Sequence, residues 1–168
     1  TVKLNNKNIE FNKITWAGLG QTYLNKYKIN YFNDLNSNRS KLSSEEIENL
    51  LLNWIDCNQL FRTVGWESYP TSLRIINIIK LGLSNFDLND KILLNLYIQS
   101  RFLRNNCEWH LMGNHLLVNF KALIFAGIFF ETKESFNWFK YGFSLYNKQI
   151  KQQILNDGGH FELTPMYH

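Results

Sequence analysis

Apolar residues along the 168-residue chain recur mostly three and four positions apart, the spacing of one helix face. The first clear case begins at Ser43-Ser44-Glu45-Glu46, where Ser43 can cap and Glu46, three residues on, completes a capping box. Ile47, Leu50, Leu51, Trp54 and Ile55 then mark an amphipathic helix reaching toward Leu60. Trp66 to Pro70 breaks the pattern, because proline suits a first helical turn and not an interior. A second helix carries Ile75, Ile76, Ile78, Ile79 and Leu81 and is expected to end near Gly82. Asp87 or Asn89 caps a third, with Ile92, Leu93, Leu96, Phe102 and Leu103, running to about Asn106. Glu108 to Asn114 reads as a junction in which Gly113 supplies backbone freedom. Leu116 to Phe129 is apolar on nearly all sides, so this fourth helix is expected at the centre. Thr132 caps a fifth, carrying Phe136, Phe139, Phe143, Leu145, Ile150 and Ile154, and Asp157-Gly158-Gly159 ends it.

The first forty residues lack a clean period. Ile9-Glu10-Phe11 reads as a short extended piece, and Tyr23, Tyr27 and Tyr31 are spaced by four, as on one helix face. Strand-type alternation is nearly absent and no strict repeat recurs. The expectation is one all-α domain over residues 1–168, built of antiparallel helix pairs joined by short loops.

Composition narrows the function classes. Hydrophobic content of 45% with 19% charged residues is that of a globular chain, not a disordered one. The formal charge of +4 raises the local concentration of anionic ligands without naming one. Lys and Arg are scattered, so no nucleic-acid partner is expected. Ala122 to Phe130 is too short an apolar run to span a membrane, and the first seven residues are not a signal peptide. Cys57 and Cys107 can be two free thiols or one disulfide. Aromatic residues make up 15% of the chain, and their rings serve core packing or stacking on sugars.

Candidate chemistry is confined to two runs. Glu108-Trp109-His110-Leu111-Met112-Gly113-Asn114-His115-Leu116-Leu117 and the terminal Asp157-Gly158-Gly159-His160-Phe161-Glu162-Leu163-Thr164-Pro165-Met166-Tyr167-His168 hold all four histidines. These runs, with Trp66-Glu67-Ser68-Tyr69-Pro70-Thr71-Ser72-Leu73-Arg74, resemble the helical N-terminal domain of heparinase II/III-type polysaccharide lyases. The resemblance covers nearly the whole chain. It implies consecutive hairpins of an incomplete (α/α) toroid, in a fragment of a larger lyase whose remaining helices and β-sandwich domain lie elsewhere in the parent. It also implies a periplasmic or secreted enzyme, an acidic polysaccharide as partner, and no cofactor.

By the same resemblance, Asn114 and His115 neutralise a uronate carboxylate and Tyr167 is the acid, and in some members the base, of a β-elimination. A further catalytic residue comes from beyond this chain, so the piece is expected to be incomplete on its own. The substrate-binding set is Arg74, Trp66, Tyr69, Trp109, His110, Glu108, Glu162 and His168. Plainer roles stand beside these: Asn114 as a helix cap, His110 as a buried structural histidine, Arg74 as an ordinary salt-bridge partner. Glu108 and Glu162 suit orienting histidines or arginines better than chemistry. Two other functions compete. One is a non-catalytic carbohydrate-binding helical domain. The other is a metal-dependent hydrolase using Glu108, His110, His115, His160 and His168, disfavoured because no tight His-Glu-x-x-His pair is present.

Overall fold

The computed structural model describes residues 2–4, 7–9, 16, 22–37, 42–58, 60–111 and 113–162. Among these residues six α-helices follow one another: α1 Tyr23–Ile29, α2 Ser44–Cys57, α3 Ser68–Leu83, α4 Asp90–Asn105, α5 Gly113–Phe129 and α6 Lys133–Gln153. The expected all-α class holds, with one addition. Val2–Leu4 and Lys7–Ile9 form a two-stranded antiparallel hairpin, pairing Val2 with Ile9 and Leu4 with Lys7. Of the expected extended piece, Ile9 lies in the second strand; Glu10 and Phe11 lie outside the described residues.

Local chemistry sets most helix starts. Ser43 accepts from the Glu46 amide while the Glu46 carboxylate accepts from the Ser43 amide, closing the expected capping box on α2. Such a cap stabilises a helix by about 0.5–2 kcal/mol. Asn89, rather than Asp87, caps α4 through the Ile92 amide. Thr132 caps α6 and exchanges bonds with Ser135. Pro70 sits in the first turn of α3, where its missing N–H costs nothing.

Helices α5 and α6 form an antiparallel hairpin. Gly127 lies against the Phe139 backbone, Gly142 against the Phe120 carbonyl, and Gln153 reaches Gly113 at the far end. A Cβ on Gly127 would stand 2.5 Å from the Phe139 nitrogen, so only glycine allows this approach. Helices α3 and α4 form a second hairpin: Leu88 packs on Gly82 at the turn, and Arg74 bonds Gln99 midway along. Helix α5 is central, as its apolar character predicts: Leu116, Phe120, Ala122, Leu123 and Ala126 are buried against α3 and α6. These hairpins form part of an (α/α) toroid. No helix among the described residues is long and apolar enough to cross a membrane.

A polar plug joins the first four helices. Asn30, at the end of α1, accepts from the Trp54 indole over 2.7 Å and offers its carbonyl to Arg74 over 3.1 Å. The Arg74 guanidinium lies 3.8 Å over the Trp54 ring and also donates to Gln99, the Gly65 carbonyl and Thr71.

Candidate active site

Helix α5 starts at Gly113, three residues before the expected Leu116, so Asn114 and His115 belong to its first turn. Asn114 is thus within the helix and not its cap. Gly113 has φ of +51°, a left-handed conformation that a residue with a Cβ adopts only at a cost, and this bends the chain out of the junction into the helix. Consecutive helical residues point about 100° apart. Asn114 and His115 therefore present two adjacent, half-buried directions in the first turn of α5.

His115 is held from two sides. Its Nδ1 lies 3.2 Å from Oε2 of Glu108, and its ring packs on Tyr69 of α3 with centroids 4.4 Å apart. The Glu108 side chain is only 8% exposed while that of His115 is 28%, so the carboxylate backs the ring and the ring faces out. Glu108 is fixed in turn by Asn119, one helical turn into α5. Asn119 Oδ1 accepts the Glu108 backbone N–H over 2.8 Å, and its Nδ2 donates to Glu108 Oε2 over 3.3 Å and to Ser72 Oγ over 3.0 Å. Ser72 donates onward to the Ser68 carbonyl over 2.8 Å.

An aromatic file leads to this pair. Tyr23, Tyr27, Tyr31, Tyr69 and His115 follow one another with centroid separations of 5.0, 6.4, 5.9 and 4.4 Å. Glu67 accepts from the hydroxyls of both Tyr23 and Tyr27. Burial, then the fields of Tyr69 and Glu108, raise the Tyr31 phenol above its ordinary range, so it stays neutral.

The second run folds back onto the start of α5. Phe161 donates its amide to the Gln153 carbonyl over 2.7 Å, and Ile154 pairs with His160 as an isolated bridge. Buried Gln153 donates to the Gly113 carbonyl over 3.0 Å and lies 3.1 Å from His160 Nε2. Glu162 reaches Gly113 so closely that a Cβ there would stand 2.8 Å from its carboxylate. Glu108, His115 and Glu162 thus gather around one helix start. Tyr167 and His168 lie outside the described residues.

Three expectations are corrected. Arg74 is fully buried and spends its donors inside the protein, so it faces neither solvent nor a ligand; burial also pulls its pKa below the ordinary value. Trp66, only 2% exposed, packs among Trp54, Phe61 and Phe102 and offers no ring to a sugar. His110, favoured as a buried structural residue, is exposed. Trp109 is 49% exposed, with its ring against Phe120, and remains available as a platform. The cysteines are both free thiols, and burial pushes Cys107 up to about 12.

Among the described residues, no group of three or more His, Cys, Asp or Glu side chains is placed to hold a metal ion. Asn119 and Gln153, absent from the sequence-derived set, organise both runs. Their only signal is a polar side chain at a position where the helix pattern calls for an apolar one.

Residues 54–168 match the family described as Heparinase II/III N-terminus. Two relatives, both called heparin-sulfate lyase, come from Bacteroides stercoris and Pedobacter heparinus and are 51% and 46% identical over 57 residues. Each match covers 33% of this chain and 9% of the relative, so the chain spans a small part of the length of either enzyme. No solved structure matches the chain. The matched segment contains α3 to α6 together with both histidine runs, and the chain belongs to the heparinase II/III N-terminal family.

Proposed function

We propose that this chain is the N-terminal helical domain of a larger lyase that cleaves uronic-acid-containing polysaccharide by β-elimination. The proton on C5 leaves, the C4–O bond breaks, a C4–C5 double bond forms, and the departing oxygen takes up a proton. Negative charge grows on an already anionic carboxylate, so donors aimed at that group stabilise the transition state more than the ground state. Asn114 offers an amide N–H and His115 its outer ring nitrogen for this purpose. The N-terminal end of α5 adds its partial positive charge at the same place. Tyr167, five positions after Glu162, supplies the acid and, where the sugar geometry requires it, the base. Tyr69, Trp109, His110 and Glu162 line the approach, and His168 completes that set. Additional helices and a β-sandwich of the parent chain bring the rest of the machinery.

The observation that carries this reading is the seating of Gln153 and Glu162 on Gly113, the first residue of the helix that also carries Asn114 and His115. The names of the two relatives support a sulfated, uronate-bearing substrate. Intact protein incubated with heparan sulfate or alginate should release unsaturated ends that absorb ultraviolet light. Tyr167→Phe should cut turnover by about 10²–10⁴-fold while binding persists. A second reading, sugar binding without cleavage, draws on the exposed rings of Trp109 and Tyr23. Binding of these glycans by the intact protein with no unsaturated product would favour it.

A further inference from the structure

The geometry assigns Glu108 as a positioning residue that fixes the tautomer of His115, with Asn119 and Ser72 as its supports. The direction of every proton in the cluster follows from one backbone contact. The Glu108 amide can only donate, so the Asn119 atom 2.8 Å away is the carbonyl oxygen Oδ1, and Nδ2 is the donor. Nδ2 then donates to Ser72 Oγ and to Glu108 Oε2, which makes Oε2 an acceptor. Ser72 passes its own proton to the Ser68 carbonyl, so it does not compete for that role. As a carboxylate Glu108 has no proton to give, so His115 Nδ1 carries the one between them. The ring is held as the Nδ1–H tautomer, and Tyr69 packed on its face opposes rotation.

Nε2 is the ring nitrogen left for a ligand. It offers a lone pair while the ring is neutral and an N–H donor once the ring holds both protons. Glu108 carries the counter-charge that such a doubly protonated ring needs, from a position only 8% exposed. Without Glu108, nothing else in this cluster would select Nδ1–H, and free imidazole in water prefers Nε2–H. The role of this residue is therefore orientation of His115 and not contact with sugar. The catalytic consequence rests on the lyase reading above; the tautomer does not.

The test is nitrogen NMR of the intact protein labelled with 15N-histidine, with His115 assigned through the signal lost in His115→Gln. The neutral wild-type ring should show protonated Nδ1 and bare Nε2. Glu108→Ala should switch the proton to Nε2, while Glu108→Gln, whose amide oxygen still accepts, should keep it on Nδ1. On heparan sulfate, kcat of Glu108→Ala should fall by about 10–10²-fold with KM little changed, and Glu108→Gln should recover part of it. Nε2–H in the wild-type ring would overturn the inference, and needs no Glu108 variant to fold. So would the same tautomer in folded Glu108→Ala as in wild type. Correct tautomers with no turnover by wild-type protein on any acidic glycan would leave the inference standing and remove the lyase reading.

Discussion

Gln153, the last residue of α6, donates to the carbonyl of Gly113, the first residue of α5, over 3.0 Å. Forty positions apart in the chain, these two residues tie the end of α6 to the start of the helix that carries His115. Gln153 is 3% exposed, and the same side chain meets His160 and Gln149, so removing it takes one hydrogen bond from each of three buried groups.

Gln153→Leu should therefore cost about 1–3 kcal/mol in chemical denaturation. It should also loosen residues 154–162 from the start of α5, read as faster amide exchange at Phe161, whose N–H bonds the Gln153 carbonyl. Unchanged stability and exchange would mean that this contact does not hold the second run.

Arg74→Met tests the corrected role of that arginine. The substitution takes away the donor that Arg74 gives to the Asn30 carbonyl and to Gln99 Oε1 inside the core, and leaves the Gly65 carbonyl with the Thr71 hydroxyl alone. Stability should fall by about 3 kcal/mol or more. Glycan affinity of the fraction that remains folded should stay unchanged. A large loss of affinity with full stability would instead place Arg74 at the ligand.

The patterns that were legible in the sequence are local ones. Ser43 with Glu46 and Thr132 at the start of α6 announce themselves because a cap and its partner lie within one turn. The central place of α5 follows from the lack of any polar stripe on it. Asn119 and Gln153 stayed hidden because their partners outside their own helix lie between 7 and 47 positions away, and periodicity carries no information about such pairs. Arg74 and Trp66 misled for a related reason. They sit within a recognisable run, but whether a side chain in that run faces substrate or core depends on the packing of α1, α2 and α4 around it. The early start of α5 was obscured by Gly113, which usually interrupts helices, yet here its positive φ forms the entry bend.

Cys107 gives a prediction in pH. Burial is the largest influence on it and raises the thiol from an ordinary 9.0 to about 12. Between those values the unfolded chain has lost the proton and the folded chain keeps it. Stability linked to this group is therefore complete below about pH 9 and declines as pH rises toward 12. In native protein at mildly alkaline pH, a thiol reagent should label exposed Cys57 first and Cys107 only after denaturant is added. Equal labelling rates in the native state would contradict this.

The central claim is that one uronate carboxylate is received at the start of α5. A structure of the intact protein with an uncleaved uronic-acid oligosaccharide tests it most directly. The account predicts a carboxylate oxygen within about 2.7–3.2 Å of Asn114 Nδ2 and another within the same reach of His115 Nε2. An oligosaccharide seated with no carboxylate near either residue would contradict it.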